Sequence, residues 1–390
     1  MPPTPQPDSC DVAVIGGGVC GLVVAWCAAQ RGLSVCVIER DAFGGAASAV
    51  AAGMLAPASE ADAGEPELLA LGIRSATLWP AFAEQLEAAS GVDVGYRTCG
   101  SLLLARDRDG MEALEREREL RTRMGLSATP LLPSLARALE PSLAPAVRGA
   151  LEIPGDHVVD PRALCAALVV ACERSGVPLC TGCAVARLVV DGDRVAGVAL
   201  ADGSSLAATQ VVLAAGAWSG ELAGIPPTVQ LPVRPVKGQT LRLRDPQHDP
   251  ERPLLSRVVR FAGGYLVPRG DGHYVLGATV EERGFDTTIT ALALYELLRD
   301  AAEVVPGVLE LDVEEACAGL RPGTPDNAPL LGPSRALDGL VLATGHYRNG
   351  ILLAPVTGEL IAAFLADGAA LPEAFAPARF AKRAGARLAA

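Results

Sequence analysis

The sequence predicts an α/β protein in two parts: a Rossmann-type domain with a parallel sheet between helices, and an antiparallel-sheet α+β domain inserted into it. Three observations carry this. An apolar strand, a glycine-rich turn, a helix and a second apolar strand form a βαβ unit within the first 40 residues. Strands with alternating polarity, such as "QTLRLR", "GYLVPR" and "HYVLGAT", occupy the middle of the chain. From Gly339 the chain returns to strand–turn–helix. A length of 390 residues suits two domains. The nucleotide-binding domain is expected in three pieces, 10–90, 156–225 and 320–372, and the second, substrate-type domain in 91–155 and 226–319.

Element by element, residues 11–15 are a short apolar run stopped by Gly16, which reads as a buried strand. Residues 21–31 carry small and apolar residues suited to a packed helix, and 33–39 form the next strand. Residues 68–89 show a long amphipathic helical pattern. The stretch 91–155 holds a strand in "GSLLLARD", a charged helix over 109–124 and loops punctuated by proline. Asp160 ahead of Pro161 predicts the cap and first turn of a helix over 161–175. Residues 179–200 read as a hairpin turning at Asp191-Gly192-Asp193, and 209–214 as a strand stopped by Gly216. A helix is expected from Thr290 to Val304. Residues 339–344 form a strand leading into a turn over 345–350. A helix with Pro355 in its first turn is expected directly after it. The Pro-rich first ten residues and the Ala-rich tail are expected to fray.

Composition narrows the function. Half the residues are apolar and a fifth charged, as in a globular protein with an ample core. A net charge of -12 disfavours a nucleic-acid partner. The start lacks a basic and an apolar region, so no secretory signal is expected, and no apolar run is long enough to cross a membrane. Ten scattered cysteines fit reduced thiols and a cytoplasmic location. A homo-oligomer is expected. His157, His248, His273 and His346 lack ligand spacing, so no metal is expected. Cys180 and Cys183 form a CxxC with no second pair, which reads as part of the strand entering the hairpin rather than a redox or metal site.

The sharpest signal is "VIGGGVCG", with Gly16, Gly18 and Gly21 in the GxGxxG spacing between a strand and a helix, and Glu39 at the end of the next strand. Gly16 permits the tight turn, Gly18 lets backbone approach a pyrophosphate, and Gly21 lets helix and strand pack closely. The helix start offers free N–H groups to phosphates, and Glu39 can accept from ribose hydroxyls. This fingerprint does not separate FAD from NAD. The small-residue run after Arg40, "DAFGGAASAVAAGMLAP", does favour FAD, because an NAD domain normally continues into a crossover helix. "VVLAAGAWSG" adds a strand ending in small residues suited to backing a flat ring.

With "VIGGGVCGL", "AAGMLAP", "LAAGAWS", "GYLVPR", "GLRPGTPDNAPLLGP" and "ATGHYRNGILLAP" in hand, the chain resembles the FAD-dependent amine oxidases of the D-amino acid oxidase superfamily. It is most similar to the glycine oxidases of thiamine biosynthesis, over about residues 10–370. The resemblance implies non-covalent FAD, a small amino-acid substrate, oxygen as acceptor, and an imino or 2-oxo acid and hydrogen peroxide as products. It implies that Arg321 in "GLRPGT" pairs with the substrate carboxylate, that the Tyr265 hydroxyl helps bind it, and that Arg348 in "HYRNG" is a second active-site arginine. Cofactor contacts are implied at Gly16, Gly18, Gly21, Glu39, Arg40, Ser48, Ala52, Gly53, Met54, Val185, Ala215, Gly216, Trp218, Arg348, Asn349, Gly350 and Ile351. An arginine fork suits a carboxylate because it meets both oxygens, which a lysine cannot do.

Sarcosine oxidases of the same superfamily attach flavin to a cysteine near this region. By spacing that position is Gly319, not Cys317. Some glycine oxidases carry a polar residue two positions before the tyrosine. Gly263 stands there, followed by Gly264, so a roomier pocket is expected. Sarcosine, D-proline or a D-amino acid as substrate, and an acceptor other than oxygen, stay open.

Overall fold

The computed structural model describes residues 7–380. Most of the expected frayed ends, residues 1–6 and 381–390, lie outside the described residues. Ser9 and Cys10 already belong to the first strand.

Two eight-stranded sheets organise the chain. The path of the first runs Leu330–Pro333, Leu340–Thr344, Ser205–Leu213, Ser9–Ile15, Val35–Ile38 and Leu179–Cys180. Its central pairings are parallel, and Leu330–Pro333 adds an antiparallel edge. A buried parallel sheet calls for strands apolar on both faces, and Val35–Ile38 and Leu340–Thr344 are buried at every residue. The hairpin is shorter than expected. It spans Val185–Asp191 and Arg194–Leu200, whereas Leu179–Cys180 is a separate parallel strand beside Val35–Ile38. Cys183 lies in the connection between them.

Helices Val19–Gln30, Pro66–Ser90, Pro161–Arg174 and Ala354–Asp367 contribute to one core with this sheet. Trp26 and Trp79 are among its largest fully buried side chains. Such a group stabilises by roughly 1.5–3 kcal/mol or more when removed from water. Asp160 caps Pro161–Arg174, accepting from the N–H groups of Arg162 at 2.7 Å and Ala163 at 3.1 Å.

The second sheet runs Asp312–Gly323, Arg234–Arg244, His273–Gly277, Gly264–Pro268, Val258–Phe261, Ser101–Ala105, Gly149–Ile153 and Thr129–Leu131. It is antiparallel except where Val258–Phe261 lies parallel to Ser101–Ala105. Helix Ala291–Ala302 covers it, with Thr290 as its cap. The long pairing of Arg234–Arg244 with Asp312–Gly323 sets Arg321 opposite Val236 and Gly319 opposite Gly238.

Candidate functional site

A cavity of about 750 Å³ is lined by residues of both sheets and of the turn after Leu340–Thr344. Every residue singled out in the sequence as a cofactor or substrate contact lines it, except Gly21. Gly21 lies behind the turn, where a side chain would overlap the Gly16 carbonyl oxygen. Its task is packing.

The nucleotide part is built on the first βαβ unit. Gly16 has φ +105°, and a Cβ there would stand 2.5 Å from the Ala214 carbonyl oxygen. Only glycine fits that turn without strain. Glu39 is held by backbone: its Oε2 accepts from Gly17 N–H at 2.7 Å and its Oε1 from Asp41 N–H at 2.9 Å. Each carboxylate oxygen keeps a further lone pair for a ligand. The CxxC segment supports this acid, because Glu39 N–H donates to the Cys180 carbonyl at 2.8 Å and Cys183 N–H donates to the Glu39 carbonyl at 3.0 Å. Val19 N–H donates to Ser48 Oγ at 3.1 Å. The Arg40 guanidinium lies 4.1 Å from the centre of the Trp218 ring, which stacks on Phe285 from the loop after His273–Gly277.

The polar mouth "GHYRNG" forms a turn rather than the start of a helix. The helix begins only at Ala354. Asn349 N–H donates to the His346 carbonyl and Leu353 N–H to the Asn349 carbonyl. The N–H groups of Gly350, Ile351 and Leu352 take no acceptor among the described residues, and all three residues line the cavity. The turn is pinned from behind, since Ser75 Oγ and Trp79 Nε1 both donate to the Leu352 carbonyl, at 2.6 and 2.9 Å. His346 is 2% exposed, with Nδ1 3.5 Å from Cys20 Sγ and Nε2 3.0 Å from Thr357 Oγ1. Burial lowers its pKa to about 4, so it is neutral at ordinary pH.

The glycine cradle, the backbone-held acid and the three free amides fit a dinucleotide cofactor such as FAD. The cavity volume lies in the upper range for small-molecule sites.

Arginines and a tyrosine converge in the same cavity. Arg321 Nη1 donates to the carbonyls of Thr279 at 3.0 Å and Lys237 at 3.3 Å. Its Nη2 and Nε take no acceptor among the described residues, which leaves an edge of the fork for a ligand. Burial, with Glu60 adding to it, raises the Tyr265 hydroxyl pKa against the opposing pull of Arg321. The phenol therefore stays protonated and able to donate.

Arg348 lines the cavity too, paired with an acid of the chain itself. Its Nη2 donates to Glu60 Oε1 at 3.2 Å, and Arg260 Nη1 reaches the same oxygen at 2.8 Å. Burial alone would raise the Glu60 pKa, but Arg260 and then Arg348 outweigh it and hold the group below its usual range. The sequence reading missed both Glu60 and Arg260. Glu60 is the first of several acids after a small-residue run, and Arg260 looks like any strand arginine. Neither carries a spacing signal. The expectation of a pocket widened by Gly263 and Gly264 also fails, because neither glycine lines the cavity. A Cβ on Gly263 would face Asp300 Oδ2 at 2.6 Å, and one on Gly264 the Gly277 carbonyl at 2.5 Å.

Among the described residues no group of histidine, cysteine, aspartate or glutamate could hold a metal ion, and no helix is long and apolar enough to cross a membrane.

The family described as FAD dependent oxidoreductase matches residues 11–364. The chain is 39% identical over 360 residues to the bifunctional protein ThiO/ThiG of Trichormus variabilis, covering 92% of this chain and 53% of that one. It thus spans about half the length of that relative. It is 36% identical over 354 residues to the glycine oxidase of Geobacillus kaustophilus, covering 90% and 92% of the two chains. The crystal structure of glycine oxidase from Geobacillus kaustophilus superposes with a TM-score of 0.88 at 35% identity, covering 96% of this chain and 99% of that one.

Proposed function

The chain belongs to the FAD dependent oxidoreductase family, and on that premise we propose that it oxidises glycine or another small amino acid to the imino acid, with reduction of oxygen to hydrogen peroxide. The imino acid then hydrolyses to a 2-oxo acid and ammonia. The observation that carries this is the open edge of the Arg321 guanidinium beside Tyr265, in the same cavity as the Gly16 turn.

A small amino acid offers few handles, so its carboxylate must supply much of the binding. Arg321 meets it with parallel N–H donors, and the protonated Tyr265 hydroxyl adds a third. Held at that end, the substrate presents its Cα–H in one direction, and orientation does much of the work. FAD, bound non-covalently, supplies the acceptor for the two electrons that leave with this hydrogen. Residues Gly16, Gly18, Ser48 and Glu39 would hold its nucleotide part, and the free amides of Gly350, Ile351 and Leu352 would face negative charge on its ring. Gly319 lines the cavity where a cysteine would be needed for attachment, and Cys317, which does not line it, is engaged with Thr240 Oγ1 at 3.2 Å.

A role in thiazole synthesis for thiamine is part of the proposal, supported by the similarity to glycine oxidases and to bifunctional ThiO/ThiG proteins. So are a homo-oligomeric state and a cytoplasmic location, the latter supported by ten free cysteines.

One experiment tests the reading. The yellow protein is mixed anaerobically with glycine, sarcosine, D-alanine and D-proline, and flavin absorbance is followed. Bleaching by at least one is expected, and the oxidase reading fails if none bleaches the colour.

A further inference from the structure

We infer that Glu60 receives the substrate's amine and sets the charge of the pocket, so that the site takes amino monocarboxylates and turns away a second acidic group. The inference rests on the amino-acid reading above and deepens it.

Glu60 lines the cavity, with its side chain 14% exposed. Its two oxygens are used unequally. Oε1 accepts from both Arg260 and Arg348, while Oε2 takes no donor among the described residues. Oε2 is not shut off from the cavity, so it is free to accept from a donor that enters there. A substrate carboxylate cannot fill that place, because two acceptors repel. An amine N–H can. The substrate's two poles then have separate receptors in one cavity: Arg321 for the carboxylate and Glu60 for the nitrogen. The two guanidinium groups keep Glu60 ionised, so it accepts an N–H hydrogen bond rather than taking the proton.

The charge argument points the same way. Arg260 and Arg348 share the Glu60 carboxylate, which offsets part of their charge, while Arg321 pairs with no carboxylate among the described residues. Without the Glu60 charge, Arg321 and Arg348, which line the cavity, and Arg260 beside them would make this end of it strongly basic and attract dicarboxylates.

The test compares the wild-type holoenzyme with Glu60→Gln, using glycine turnover and the shift of flavin absorbance on titration with acetate and with iminodiacetate. Acetate carries the carboxylate without the amine. The variant is expected to raise the KM for glycine about ten- to hundredfold, the worth of a hydrogen bond to a charged group. It should leave acetate binding unchanged or tighter, and it should bind iminodiacetate more tightly than the wild type does. Equal weakening of glycine and acetate would mark a merely structural role and overturn the inference, as would an unchanged glycine KM. Should Glu60→Gln lose its cofactor, Glu60→Asp keeps the charge and withdraws the oxygen by one methylene. It must then show the same selective loss towards glycine, or the inference falls. Failure of every amino acid to bleach the wild-type enzyme is a separate outcome that removes the oxidase reading itself.

Discussion

Gly238 leaves the space that the Arg321 guanidinium fills: a Cβ built on Gly238 would stand 2.5 Å from Arg321 Cζ. The two residues lie on paired strands, with Arg321 opposite Val236 and Gly238 opposite Gly319. A glycine outside the cofactor motifs thus decides where the Arg321 fork can sit.

Arg321→Ala is expected to raise the KM for the amino acid roughly thirty- to thousandfold, from a loss of about 2–4 kcal/mol, while FAD content stays that of the wild type. Gly238→Ala should show the same signature in weaker form, since it displaces the fork without removing it. Steady-state kinetics beside the visible absorbance ratio separate the two effects. Loss of FAD at unchanged KM would mark Arg321 as structural.

Gly16→Ala should lose the yellow colour. The added methyl meets the Ala214 carbonyl in a backbone with φ +105°, a region that side chains rarely adopt. Purified protein is expected to show native circular dichroism with little bound FAD, and a normal FAD content would contradict the proposed phosphate cradle.

Lys237 is 1% exposed and reaches from strand Arg234–Arg244 to Asp286 at 3.1 Å and to the Thr288 carbonyl. It thereby holds the loop that follows Thr279, whose carbonyl accepts from Arg321. Lys237→Met removes these bonds at a cost of about 1–3 kcal/mol. Limited proteolysis should cut the loop around residues 282–290 faster than in the wild type, with KM raised and FAD retained.

His346 gives a pH dependence with a definite sign. Its folded pKa is about 4, against an ordinary value of 6.5. Between these values the unfolded chain binds a proton that the folded protein excludes. Stability therefore falls as pH drops from about 6.5 towards 4, by on the order of 3 kcal/mol from this group. Urea midpoints at pH 7 and 4.5 should differ less in His346→Gln than in the wild type. An equal pH slope in the two proteins would rule the contribution out.

Much of this was legible beforehand. Gly16, Gly18 and Glu39 announce themselves because strand, turn and helix follow one another within 30 residues, and local spacing carries the message. Arg321 and Tyr265 were reached through resemblance, and the structure brings both into the cavity. Glu60 was not legible. Its partners lie 200 and 288 residues away along the chain, and no periodicity links positions at such distances. The turn over 350–353 was missed for another reason. Its apolar residues fit a helical pattern, but the Leu352 carbonyl is claimed by Ser75 and Trp79, and the helix starts after it.

By itself the sequence determined the sheet-forming and helix-forming segments, the nucleotide turn and the acid that follows it. These depend on fixed repeats of about 2 and 3.6 residues and on backbone angles open to glycine alone. Only the tertiary structure decided how the pocket is charged. Arg260 comes from a strand of the second sheet, Glu60 from a loop and Arg348 from the turn beside the first sheet. Their meeting on one carboxylate oxygen depends on how these elements pack together. A charge network of that kind is written in distances between elements, and no single stretch of the chain contains it.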